Sequence, residues 1–212
     1  MLISLHKMRG MTLIELMVAV VIFGLLMSLG ISSFSTWIQN QQTRTASESI
    51  LNGLQLARNE AVKRNAPTIF VMCDLNAGGT GSSWDVLANT ASAAQGNAQA
   101  CQPDSGAVTQ WERVQQRPAQ EGSRNVIVTP TPAGLNAIAF NGFGRVIILA
   151  PTGLMPLPAA PNPLVQNLTP RFDMSNSRLA NGRNLRVTVI SSGTTRMCDP
   201  SPQLAANDPR AC

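Results

Sequence analysis

The chain opens on a short basic leader, Lys7-Met8-Arg9, and then runs from Glu15 to Arg44 without another charge. Positions 16–31 are almost wholly apolar, close to the roughly 20 residues that cross a bilayer as a helix. A chain built this way starts in a membrane, and Lys7 and Arg9 hold its N-terminus on the cytoplasmic side. A secretory signal peptide has a similar start and would be cut after Ser28-Leu29-Gly30; an unprocessed anchor is the other plain alternative. Two features oppose a signal peptide. An acid inside the apolar core costs about 2.5–3.5 kcal/mol on insertion scales and calls for a partner. The helical pattern also continues beyond the apolar run instead of breaking at small residues.

The stretch Gly10-Met11-Thr12-Leu13-Ile14-Glu15-Leu16 resembles the class III signal of type IV pilins and type II secretion pseudopilins. The resemblance implies that a prepilin peptidase in the inner membrane cuts between Gly10 and Met11, leaves the apolar helix attached, and N-methylates Met11. Methionine stands where the family usually has phenylalanine, and is apolar and of similar reach. Glu15 becomes the fifth mature residue, about 6 Å along a helix from the new N-terminus. There its carboxylate pairs with the α-ammonium of a neighbouring subunit, which offsets desolvation and fixes axial register. Ser32 occupies the place of the family's usual proline, and Gly30 weakens the helix by up to about 1 kcal/mol.

These features divide the chain into a cleaved leader (1–10), a transmembrane half-helix (11–35), an extramembrane amphipathic half (36–65) and a β-rich head (66–212). Loss of Lys7 and Arg9 with the leader leaves 14 basic against 11 acidic side chains, a small excess for a dedicated nucleic-acid binder. The four cysteines, Cys73, Cys101, Cys198 and Cys212, all fall in the exported part, where thiols are oxidised. No Cys-x-x-Cys pair is present, which disfavours zinc and thioredoxin-like chemistry. Of the three possible pairings the local one, Cys73 with Cys101 and Cys198 with Cys212, is favoured. Each bond closes a loop rich in Gly, Ala, Pro or Asn and gains about 3 kcal/mol from closure.

Along the head, Ile50, Leu51, Leu54, Ala57 and Ala61 recur at helical spacing, and Asn65-Ala66-Pro67 ends the helix. Residues 68–73, 84–87, 111–114 and 125–129 read as strands. Gly78-Gly79-Thr80-Gly81 reads as a turn, since no Lys-Ser/Thr pair or helix start follows as a phosphate loop requires. The span 89–106 reads as a small-residue loop tethered at Cys101. Asn141-Gly142 predicts a two-residue hairpin turn. The prolines between 151 and 170 predict an irregular crossing, and 185–190 with 195–198 form a last hairpin.

One helix followed by β structure, with Leu56-Ala57-Arg58-Asn59-Glu60-Ala61-Val62-Lys63-Arg64-Asn65 and the closing Ser192-Gly193-Thr194-Thr195-Arg196-Met197-Cys198-Asp199-Pro200, resembles the GspH/FimT (FimU-like) family. The expected class is α+β, a long pilin helix packed on an antiparallel β-sheet head. The resemblance implies a minor pilin that joins other minor and major pilins through its helix, sits at or near the pilus tip, and helps prime assembly for twitching motility. It anchors in the inner membrane by a single pass, with the head periplasmic, before entering the pilus. A GspH-like pseudopilin of type II secretion is the first alternative.

Enzymatic and metal chemistry are disfavoured, because the sole histidine, His6, lies in the leader, and no cofactor is implied. The other alternative is a FimT-like DNA-binding pilin of natural transformation. Such members carry Gly-Arg-x-Arg at the last hairpin, whereas Gly193-Thr194-Thr195-Arg196 lacks the first arginine. Arg183, Arg186 and Arg196 are the candidates for contacting double-stranded DNA through phosphates. A two-residue turn at Ser192-Gly193 sets Arg196 opposite Val189 and on the other face from Arg186.

Overall fold

The first turn of the described helix is capped by Thr12, whose Oγ1 accepts a 3.4 Å bond from the Glu15 amide. Helix α1 follows over Leu13–Arg64, 52 residues. In this computed structural model the described residues are 11–76, 79–90, 101–102, 111–151, 169–179, 182–205 and 207–212, with the side chains of 28–33 and 148–151 excepted. The chain divides into two units, Met1–Ile38 and Gln39–Cys212. The described part of the first is the N-terminal segment of α1. The second holds the rest of α1 and all the strands.

Helix α1 ends by a left-handed cap. Asn65 takes φ 47°, and the Ala66 amide reaches back to the Ala61 carbonyl at 3.2 Å, a pattern that asparagine tolerates better than most side chains. Pro67 then blocks continuation.

Which face each residue takes decides the core it joins. Sheet one has the order β3-β2-β1-β5-β6, from β1 (Thr68–Met72), β2 (Trp84–Asn89), β3 (Trp111–Arg117), β5 (Leu135–Phe140) and β6 (Val146–Pro151). Sheet two has the order β4-β7-β8-β9, from β4 (Val126–Thr131), β7 (Arg171–Asn176), β8 (Leu185–Val189) and β9 (Thr195–Cys198). All of these pairings are antiparallel. A short helix, α2 (Cys73–Asn76), leaves β1.

The stripe Ala46, Ile50, Leu54, Ala57 and Ala61 of α1 is buried in one core with Phe70, Trp84, Ile138 and Phe140 of sheet one and Phe172, Met174, Val187 and Val189 of sheet two. Alternation requires that the intervening residues of sheet one point the other way. There Ile69, Val71, Leu87, Trp111 and Ala139 form a second, smaller core. Covering on both faces explains why β1 is apolar from Ile69 to Met72 and buried at every position, Thr68 included. The close approach of helix to sheet depends on Gly53, since a Cβ there would lie 2.7 Å from the Phe70 ring and 3.1 Å from that of Trp84.

Both hairpins differ from the two-residue turns that the sequence suggested. In the first, Asn141 pairs with Arg145 (N···O 3.0 Å) and Gly144 takes φ 71°; in the second, Ile190 pairs with Thr194 (3.0 Å) and Gly193 takes φ 80°. Each is a three-residue loop whose last residue must be left-handed, which glycine supplies. At the first, Asn141 Oδ1 accepts the amides of Phe143 and Arg145, both at 3.0 Å, so its side chain organises the loop in place of an Asn-Gly backbone turn. The crossing expected between 151 and 170 lies largely outside the described residues. So does most of the 89–106 loop.

Candidate assembly site and the arginine face

Apolar side chains along the start of α1 have no cover. Met11, Leu13, Ile14, Leu16, Val20, Phe23 and Leu26 are all more than half exposed. Glu15 is the one charge among them, in the first turn of α1, where a carboxylate is favoured by the positive end of the helix dipole. Thr12 therefore has a role that the sequence reading passed over; the Thr-x-x-Glu spacing was the signal. Gly10 lies outside the described residues, and Met11 is the first of them. Among the described residues no helix is long and apolar enough to cross a membrane.

The cysteines are joined as Cys73–Cys101 and Cys198–Cys212, with Cα atoms 5.2 and 5.1 Å apart. The first bond fastens the connection after β2 to the start of α2, and two further contacts tie it to sheet one. Asp85, fully buried on the outer face of β2, accepts the Cys101 amide at 3.1 Å and the Arg113 guanidinium at 3.0 Å. Burial is the largest influence on Asp85 and raises its pKa against the pull of Arg113 and the Cys101 amide. The second bond closes the tail onto the edge strand β9, where the Asp199 amide donates to the Arg210 carbonyl (2.7 Å) and the Cys212 amide to that of Asp199 (3.2 Å).

The three-residue turn changes the placement of the arginines. Val189 pairs with Thr195 and Thr188 with Arg196, so Arg196 falls on the same face as Arg186, contrary to the parity expected of a two-residue turn. Asp173 opposes Arg186 and Arg171 opposes Thr188 on the same face. Strand β7, which carries Arg171 and Asp173, was not expected at all, although Phe172 and Met174 alternate with polar residues in the manner of a half-buried strand.

Proximity does not leave these arginines free. Arg186 makes a two-pronged pair with Asp173. Arg183 pairs with the buried Asp199 at 3.1 Å. Arg196 donates to the carbonyls of Ala211 (2.9 Å) and Pro209 (3.3 Å), tying β9 to the tail. All three are engaged within the fold. Their arrangement holds sheet two and the C-terminal loop together.

The family model for the type II transport protein GspH matches residues 46–193. The chain belongs to this family. The prokaryotic N-terminal methylation motif matches residues 5–31, which contain Gly10, Met11 and Glu15. The chain is thus a member of the minor pilin and pseudopilin family. Among solved structures it is similar to the type IV minor pilin FimU of Pseudomonas aeruginosa, at 14% identity over 73% of this chain and 87% of that one, TM-score 0.44. It is also similar to the minor pseudopilin EpsH from the type 2 secretion system of Vibrio cholerae, at 15% identity over 76% and 98%, TM-score 0.41. No curated protein matches the sequence.

Proposed function

We propose that the protein is a minor pilin of a Gram-negative type IV pilus, incorporated at or near the tip, where it helps prime assembly for twitching motility. Prepilin peptidase removes residues 1–10 and methylates Met11. The apolar part of α1 then crosses the inner membrane once, with its N-terminus cytoplasmic and the head periplasmic, until it packs among the helices of neighbouring pilins. Glu15 sets the register of that packing by pairing with a neighbour's α-ammonium.

The observation that carries this reading is the bare apolar surface of α1 around Glu15, within a matched N-terminal methylation motif. An uncovered apolar helix requires lipid or other helices around it, and a lone acid within it requires a cation. Deletion of the gene is expected to abolish pilus assembly and surface motility, and the Glu15→Val variant to fail in restoring them. Intact motility with blocked export of folded enzymes would assign the protein to type II secretion instead.

A further inference from the structure

Within the unit Gln39–Cys212, three large apolar side chains are exposed among the described residues, Val62, Phe143 and Ile190. They come from the last turn of α1, the turn between β5 and β6, and the end of β8. Packing brings these places together. Arg58 Nε donates to the Gly144 carbonyl (3.2 Å), and a Cβ at Gly144 would lie 3.1 Å from Val62 Cγ2, so the first turn rests on the helix. A Cβ at Gly193 would overlap the Gly144 carbonyl oxygen, and the Val146 amide donates to the Ser191 carbonyl (3.1 Å), so the second turn rests on the first.

Phe143 is 84% exposed, yet its turn is firmly held. The Asn141 carbonyl accepts the Gly144 amide (2.8 Å), and Asn141 Oδ1 accepts those of Phe143 and Arg145. Gly142 lies against the end of the helix, where a Cβ would overlap Asn65 Oδ1. None of these contacts uses the phenyl ring, and turns favour small and polar residues. An exposed apolar cluster that the fold does not require marks an interaction surface. Because the backbone beneath the ring is already fixed, covering it loses little loop entropy.

The rim of this cluster is basic. Glu60 is the one acid in residues 57–64, and it is taken by Lys63 and Arg64. Arg58, half-buried, and Arg145, exposed, have no carboxylate partner among the described residues. The complement is therefore an apolar pocket flanked by carboxylates. A second copy of this chain does not supply it. A two-fold pair would set one basic rim against another, and among the described residues this unit shows no other cluster of exposed large apolar side chains to receive Phe143 head to tail. Aliphatic Val62 and Ile190 beside a single aromatic also differ from the stacked aromatic platforms that hold single-stranded nucleic acid.

We propose that Phe143, with Val62, Ile190 and Arg145 around it, is the surface through which this subunit recognises a different pilin-type subunit, one that carries a carboxylate-rimmed apolar pocket. The proposal rests on the reading of the chain as a filament subunit. Phe143 is the anchor, and Arg145 steers the encounter.

The test titrates the full mature chain, in detergent micelles, with each other pilin-type subunit of the same cell in turn. Contacts between apolar helices are common to all variants of the chain and cancel in the ratios. Phe143→Ser is expected to weaken binding of one such subunit by about 30-fold or more, as loss of a central anchor does, while thermal unfolding of the variant alone stays unchanged. Arg145→Glu is expected to weaken the same complex, with a deficit that shrinks in about 0.5 M salt, and Arg178→Ser, at an exposed site on another loop, to leave it unchanged. Equal affinities of wild type and Phe143→Ser for every subunit overturn the proposal. If Phe143→Ser instead breaks up pairs of this chain alone, the occupant is a second copy and the assignment falls. Amide exchange at 141–145 that slows in lipid nanodiscs without any partner assigns the surface to the membrane and overturns it too. Failure of the filament reading shows separately, as intact pili and motility after deletion of the gene; deletion that abolishes pili, with Phe143→Ser restoring them fully, overturns the proposed surface alone.

Discussion

The Trp84 indole nitrogen donates a 2.7 Å hydrogen bond to the Ser49 hydroxyl, directly across the interface between α1 and sheet one. Both groups are buried, so each satisfies the other where water is excluded. The bond fixes how far along the sheet the helix sits, and Gly53, one turn on, fixes how close it comes.

Gly53→Ala tests that closeness. The added methyl meets the rings of Phe70 and Trp84, both buried and unable to swing aside. Overpacking of this kind costs about 1–3 kcal/mol, against a gain in helix propensity of up to about 1 kcal/mol. With the full propensity gain the net expectation is a loss of up to about 2 kcal/mol in urea unfolding of the full chain. Ser49→Ala, which strands the indole N–H, is expected to lose about 1–3 kcal/mol.

Asp85 makes a pH-dependent contribution of unusual sign. Because burial raises its folded pKa above the unfolded value, the native state binds more protons in the window between the two. The Asp85 contribution is therefore fully present only below about pH 4 and is lost as pH rises through the folded pKa. Arg113→Met removes the cation that offsets the buried charge and raises that pKa further. The variant is expected to lose about 3–5 kcal/mol near pH 7 and clearly less near pH 4. Equal losses at both values would mean that the pair is not buried as described.

The arginines of sheet two are expected to behave as structural groups. Arg186→Ala and Asp173→Ala should each destabilise the protein, and the double variant should lose less than the sum, a coupling of about 0.5–3 kcal/mol for paired residues. No coupling, with salt-sensitive duplex binding that disappears in Arg186→Ala, would instead assign Arg186 to phosphate.

Each disulfide closes a loop of the length that stabilises by a few kcal/mol. The separations are 28 residues for Cys73–Cys101 and 14 for Cys198–Cys212, so Cys→Ser pairs are expected to cost about 3 kcal/mol each, slightly more for the longer loop. Unfolding with and without reductant measures both.

Much of this was legible because it was local. The Gly10–Leu16 signal, the α1 stripe from Ile50 to Ala61 and the end at Asn65-Ala66-Pro67 each depend on neighbours within a turn or two of chain. The turns were less legible. Asn141-Gly142 and Ser192-Gly193 invited two-residue readings, whereas Gly144 and Gly193 supply the left-handed residue that closes three-residue loops. One residue of phase then moved Arg196 to the face of Arg186. Strand β7 was hidden beside proline-rich sequence. With it went Asp173, the partner that turns Arg186 from a candidate DNA contact into a strut of sheet two.

The central claim is that the chain is processed as a pilin subunit and keeps its apolar helix. Intact mass and N-terminal fragmentation of the protein isolated from membranes of cells with prepilin peptidase test it most directly. The account predicts a chain beginning at Met11 and bearing one N-terminal methyl group. An unprocessed N-terminus, or a soluble chain beginning at Ile31, would contradict it.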